Sequence, residues 1–424
     1  MLITCSSALG ATFLHSLLLV HRTAENLPAL GRSVAGPWAG KVGGFVQSLN
    51  FVLYLPVALL VCAQSLQNTI SPSLENLPCT DYWIFIVASM CLATTQLRSL
   101  ANATVLSLIS LIAVLATLLV VCYVISQTPN ASKTPAIRFG NPSLTFSSLD
   151  SASLQSWTTF ALGLSMASWA YAPAFLTAEL SNSATMYNVR DFPKAIWFSA
   201  ILTCAMYVLV GRYVVEKWGW NVNDPMFLGT ADDFELWPAA DMRSRLANFF
   251  WFVSCIISYA LDSVPLARTC QRAWAPDFDL DDWSLKGCAT YLLITLPTFV
   301  FAVTLSVFVP SLFCMLAIAT ALTVPWANQV YPAWLYWKAS SGVVSAVGES
   351  GEPLLPPTTT REIVVHDEWM ERCRVEKKGW RVLLVGGMGL LMFVVCAGGA
   401  VGKLYFEDLR GPTTVGCDGW IILK

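Results

Sequence analysis

Ten times along this chain an apolar stretch runs about as far as a lipid bilayer is thick, and that recurrence leaves few folds open. A helix crossing the roughly 30 Å hydrocarbon layer needs about 20 mostly apolar residues. Stretches that meet this requirement, the third of them short, fall at residues 2–20, 42–66, 82–97, 103–125, 157–180, 195–215, 246–267, 287–309, 312–337 and 380–401. Composition points the same way: 55% of the 424 residues are hydrophobic and 12% are charged, against roughly 25% charged in an ordinary soluble domain. No soluble core of this length uses so much apolar surface. The pattern predicts an all-α polytopic membrane protein, one transmembrane domain over residues 1–424.

An even number of spans leaves both termini on one side, and the excess of Lys and Arg in alternate loops decides which side that is. Sixteen of the 25 basic residues lie in the loops that begin with Arg22, Arg32 and Lys41 and end with Arg372, Arg374, Lys377, Lys378 and Arg381. That set is expected to be cytoplasmic, which puts Met1 and Lys424 outside or in a lumen. Two local features agree. The glycan acceptor Asn130-Ala131-Ser132 and the acid-rich loop over residues 216–241 both fall on the external side. The second acceptor pattern, Asn102-Ala103-Thr104, falls inside and is expected to stay unmodified. Residues 2–20 lack a basic leader and are followed by His21-Arg22 rather than a small-residue cleavage site, so they read as a span and not a signal peptide. Residues 339–379 carry Ser340-Ser341-Gly342 and the proline-rich 353–360 stretch before a charged end, and read as a flexible cytoplasmic linker.

The same composition excludes several functions. A net charge of -2 without a dominant basic run gives no electrostatic footprint for nucleic acid. The expected partners are the lipid bilayer and a small solute. Most of the 13 cysteines, Cys62, Cys122, Cys204, Cys255 and Cys314 among them, sit in apolar stretches where a thiol acts as a small hydrophobe. No Cys-x-x-Cys occurs, so no disulfide or zinc framework is implied. Cys79 and Cys417 both fall on the external side, where they either pair or lie by chance. The three histidines, His15, His21 and His366, form no spaced ligand set, and no enzyme activity, metal or cofactor is expected. No file of polar residues marks a channel pore.

Charge inside hydrocarbon is unfavourable by about 2.5–3.5 kcal/mol per residue, so each buried charge is a candidate functional group. Asp262 lies near the cytoplasmic end of the seventh span, about one turn or more from Arg268; it is either an interfacial partner of that arginine or a coupling residue. Glu179 ends the fifth span, as a gate-locking or interfacial carboxylate. His15 sits midway along the first span, a titratable group or a hydrogen-bonded packing residue. More informative is the run Gly163-Leu164-Ser165-Met166-Ala167-Ser168-Trp169-Ala170-Tyr171-Ala172-Pro173, which gathers small, hydroxyl and aromatic residues beside a proline at mid-membrane. Pro173 has no N–H for the carbonyl of residue 169, and small neighbours let backbone approach backbone or ligand. The run reads equally as an interrupted helix exposing polar groups or as a small-residue packing face with a kink.

Several segments, in order, resemble one family. Phe160-Ala161-Leu162-Gly163, Tyr171-Ala172-Pro173, Glu179 and Asp191-Phe192-Pro193-Lys194-Ala195 are similar to the sixth helix and following loop of the amino acid/auxin permeases. Residues 31–67 resemble that family's cytoplasmic loop and third helix, and Gln96-Leu97-Arg98-Ser99-Leu100 its fourth-to-fifth turn. Residues 258–272 resemble the end of its eighth helix, and residues 312–338, with Pro325 and Pro332, its tenth. The resemblance implies a LeuT-like inverted-repeat transporter fold of eleven helices. Aligned that way the sequence starts at the second helix, so about ten of eleven spans are expected here, with the first helix lacking. The implied activity is secondary active transport of amino acids, coupled to a proton or sodium gradient, by alternating access around a broken sixth helix. Gly163, Ser165, Met166, Ala167, Ser168 and Trp169 are then the solute contacts, and Tyr171, Glu179, Ser254, Ser258 and Asp262 the coupling or gating candidates. Ser254 and Ser258 read also as ordinary packing hydroxyls. The alternative is a non-transporting amino acid sensor or a degenerate or truncated family member. Plasma and vacuolar membranes, and the oligomeric state, are left open.

Overall fold

The computed structural model describes residues 2–21, 24, 26–70, 80–94, 96, 103–127, 157, 160–161, 163–164, 167–168, 191–218, 242–279, 284–308, 312–340 and 380–410. Among them all regular structure is helical. In chain order the helices are α1 (Leu2–Val20), α2 (Leu27–Ala35), α3 (Pro37–Ile70), α4 (Thr80–Thr94), α5 (Ala103–Gln127), α6 (Phe192–Trp218), α7 (Met242–Trp274), α8 (Leu285–Phe308), α9 (Leu312–Pro325), α10 (Tyr331–Ser340) and α11 (Trp380–Arg410). A five-residue π turn, Trp326–Val330, joins α9 to α10.

Seven of these, α1, α3, α5, α6, α7, α8 and α11, are long and apolar enough to cross a membrane, and α4 is a shorter apolar helix. Their outward faces carry large apolar side chains, as at Leu108, Ile112 and Leu119 of α5 and Phe198, Ile201 and Leu209 of α6. Contiguous exposed apolar surface on this scale belongs against lipid rather than water. Most of the expected fifth span, residues 157–180, and most of the 339–379 linker lie outside the described residues.

Some elements follow from local chemistry that a span scan does not weigh. In α2 the Asn26 side chain caps the first turn, accepting from the Ala29 N–H at 2.8 Å. Pro28 occupies a first-turn position where its missing N–H is not needed. Gly36 ends the helix at φ 88, a conformation open to glycine, with its N–H on the Arg32 carbonyl. Helix α3 runs 34 residues, roughly 50 Å at 1.5 Å per residue, so it exceeds the hydrocarbon layer and is tilted or projects beyond it.

The described helices form two compact units. The first comprises residues 1–50, 160–204 and 317–400, and the second comprises residues 51–159, 205–316 and 401–424. In the first unit Leu14, Leu17, Leu27, Leu30, Tyr331 and Leu335 build the core, with Phe13 stacked on Tyr336 at 4.5 Å between ring centroids. His15 packs its ring against Phe192 at 5.0 Å. A smaller cluster joins Ala321 to Met392, Cys396 and Ala400 of α11. In the second unit α5 and α7 pack along their length, through Val121, Val124, Ile125 and Ala247. Arg245 at the start of α7 donates through Nε to the Thr69 carbonyl at 2.7 Å. That carbonyl belongs to the last turn of α3, where helical donors run out.

Candidate functional site

Polar groups buried in apolar helices gather at two places, one in each unit. In the first unit the focus is the π turn, and the sequence explains why the helix is interrupted there. Pro332 has no N–H to offer the carbonyl of Asn328 four residues back, so regular α pairing fails at that point. The chain adds one residue to the turn instead, and the Tyr331 N–H reaches the Trp326 carbonyl, five residues back. Two glycines accommodate the resulting bulge. A Cβ at Gly10 of α1 would lie 2.0 Å from the Asn328 carbonyl oxygen, and one at Gly389 of α11 would lie 2.7 Å from Val330 Cγ2 and 2.8 Å from Gln329 Cβ. Close approach of this kind is what small residues permit between helices in lipid.

Hydrogen bonds tie the turn to its neighbours. Gln329 Nε2 donates to Ser6 Oγ on α1 at 2.7 Å. One turn earlier, Thr323 Oγ1 meets Asn50 Oδ1 of α3 at 2.7 Å and the Ala319 carbonyl at 2.7 Å. Just after it, the Tyr331 hydroxyl donates to the Ala39 carbonyl at 2.9 Å. That hydroxyl occupies space which a Cβ at Gly31 or Gly43 would take, at 2.0 and 2.4 Å. Ser6, Asn50, Asn328 and Gln329 are not among the residues that the sequence singles out. Their signal was present as an Asn-Gln pair between Pro325 and Pro332 and as Ser6, Ser7 and Gly10 in an apolar helix.

In the second unit Ser254, Ser258 and Asp262 stand four residues apart on α7 and so share one face. Ser254 and Ser110 of α5 share a hydrogen bond of 2.8 Å between hydroxyls. Ser258 is hydrogen-bonded to the Tyr54 side chain, and the Asp262 carboxylate acts electrostatically on the same tyrosine. Asp262 is only 9% exposed, and no ion pair reaches it among the described residues. Ser306 of α8 donates to the Pro56 carbonyl of α3 at 2.9 Å.

The proposed solute-contact run is described only in part. Gly163 is exposed, with no atom of the described residues within 4 Å of the Cβ it lacks. Ala167 is half-buried, and Ser168 is 3% exposed, its Oγ donating back to the Leu164 carbonyl at 3.0 Å. Such a bond uses the hydroxyl within its own helix and is compatible with a bend there. Ser165, Met166, Trp169, Tyr171, Glu179 and Asn130 lie outside the described residues, as do Cys79 and Cys417. Among the described residues no group of three or more His, Cys, Asp or Glu is placed to hold a metal ion.

Set beside known proteins, residues 2–349 match the family described as Transmembrane amino acid transporter protein. No curated protein matches the chain.

Proposed function

The chain belongs to the transmembrane amino acid transporter family, and from that premise we propose that it moves amino acids across a membrane by secondary active transport coupled to a proton or sodium gradient. The observation that carries this reading is the match over residues 2–349, in a chain where seven described helices are long and apolar enough to be spans. It is an integral, multi-pass membrane protein with an amino acid as its small-molecule substrate.

The mechanism we propose is alternating access in a LeuT-like fold, around the broken sixth helix that the sequence resemblance assigns to residues 163–173. Backbone groups over residues 165–168 hold the polar ends of the solute, and Met166 and Trp169 shape the pocket for its side chain. Ser254, Ser258 and Asp262 form the coupling face. An ionised carboxylate in hydrocarbon is disfavoured unless paired, so a buried Asp262 beside the Tyr54–Ser258 pair is a group whose charge state can be set by the transport cycle. Tyr171 and Glu179 are assigned to the gates, and Asn130 to a glycan on the external loop.

The test is uptake of radiolabelled amino acids by proteoliposomes holding the full chain, under an imposed proton gradient, a sodium gradient, or neither. Gradient-driven accumulation is expected for one of the two ions. The Asp262→Asn variant is expected to keep exchange of internal for external solute while losing about tenfold or more of gradient-driven uptake, a loss of about 1.4 kcal/mol of coupling. Solute binding without flux under any gradient would overturn the reading and assign the chain to sensing.

A further inference from the structure

Around the π turn the polar side chains outnumber the partners that protein supplies. Gln329 is 2% exposed, and while its Nε2 is engaged by Ser6, its Oε1 has no hydrogen-bond partner among the described residues. Exchanging the two amide atoms does not remove the demand, because the Ser6 hydroxyl reaches only one of them and already donates to the Ile3 carbonyl at 3.1 Å. On α9, Thr320 is fully buried and lies one turn from Thr323, yet its hydroxyl makes no bond back to its own helix. Thr323 does make that bond, to Ala319. In a bilayer neither lipid nor bulk water can satisfy such groups.

The chemistry of the surroundings narrows what can satisfy them. Ser6, Asn50, Thr320, Thr323, Asn328 and Gln329 are all neutral, and each unmet group is a hydroxyl or an amide atom. A cation would be held without a compensating carboxylate. The ligand that fits is small, neutral, and both donor and acceptor, able to make the two to four hydrogen bonds that hold a buried water.

We propose that the seam between α1 and the α9–α10 break is an ordered-water site, with Gln329 Oε1 as its anchor. Water there supplies what the proline-broken helix cannot, and lets the turn shift its pairing without stranding a polar group.

Two measurements on the full chain in lipid nanodiscs test this. Cryo-electron microscopy at a resolution that shows water is expected to place density within hydrogen-bond distance of Gln329 Oε1. Absence of density there, or a protein donor on that oxygen, would overturn the site. Thermal unfolding supplies a sign test. With Ser6 its sole partner, the half-satisfied Gln329 amide gains from an apolar replacement of similar shape what it loses with Ser6, whereas a hydrated amide loses both sets of bonds. Gln329→Met is therefore expected to lower Tm by about 2–4 °C, and an unchanged or raised Tm would contradict the proposal. Replacing sodium by choline at equal ionic strength is expected to leave the wild-type Tm unchanged; a sodium-specific rise would assign the seam to a cation instead. If Gln329→Met does not fold, the density measurement decides alone.

Discussion

Helix α7 and the α9–α10 segment both carry proline within an apolar helix, and they respond differently. Pro265 sits inside α7, and the helix runs its full 33 residues without interruption. Pro56 and Pro297 are carried in the same way by α3 and α8. Between Pro325 and Pro332, by contrast, the chain leaves α geometry for a π turn with two amide side chains buried in it. A lone proline removes one hydrogen bond and the helix bends around it. Two prolines seven residues apart, with Gly10 and Gly389 facing the gap, concentrate the defect where neighbouring helices can stabilise it. Helix breaks in lipid thus depend on what packs against the proline as much as on the proline itself.

Among substitutions that separate the packed break from the continuous helices, the largest effect belongs to Gly10. The Cβ of Gly10→Val would meet the Asn328 carbonyl oxygen at 2.0 Å, and backbone cannot move aside as a side chain does. A loss of about 3 kcal/mol is expected, read as lost monodisperse protein in fluorescence-detected size-exclusion chromatography. Gly211→Ala on α6, with nothing within 4 Å of its Cβ, is expected to leave the profile unchanged. If both variants behave alike, the packed break is not a distinct structural feature.

Next in size is the contrast between prolines. Pro332→Ala restores an N–H and allows the turn to close to α, shifting Gln329 away from Ser6; a loss of about 2 kcal/mol is expected. Pro265→Ala leaves a helix that is already continuous and is expected to change stability by about 1 kcal/mol or less. Thermal-shift measurements on the two purified variants compare them directly, and equal losses would erase the distinction. The smallest effect is Ser254→Ala, which removes the hydroxyl pair with Ser110. Interhelical hydrogen bonds in membranes average about 0.6 kcal/mol, so a Tm shift near the limit of detection is expected. A large shift would move Ser254 from the coupling face to the structural core of its unit.

What the sequence reveals of this fold follows from how local each signal is. Helix α1 runs Leu2–Val20 and α5 starts at Ala103, both within apolar stretches, because an apolar helix is specified by its own side chains. Helix α2 escapes a scan tuned to 20 apolar residues, although its Asn26 cap, Pro28 and Gly36 are all written in the sequence. The π turn is half legible: the prolines announce a break, but the pairing of Gln329 with Ser6 joins residues 323 positions apart. No local pattern reports that distance. The candidate coupling face was legible as Ser254, Ser258 and Asp262 at helical spacing, whereas Tyr54 and Ser110, which complete it, come from other helices.

Whether solute is carried, and contacted by the run beginning at Gly163, is read from the initial rate of radiolabelled amino acid uptake by vesicles holding the full chain, with Gly163→Val assayed beside it at matched protein density. Among the described residues nothing lies within 4 Å of a Cβ at residue 163, so the added side chain is expected to leave Tm unchanged. Uptake is expected to fall by about tenfold or more, as contact between the valine and the solute is introduced. Uptake that survives in a stable Gly163→Val protein, or a wild-type chain that binds amino acid without carrying it, would contradict the claim.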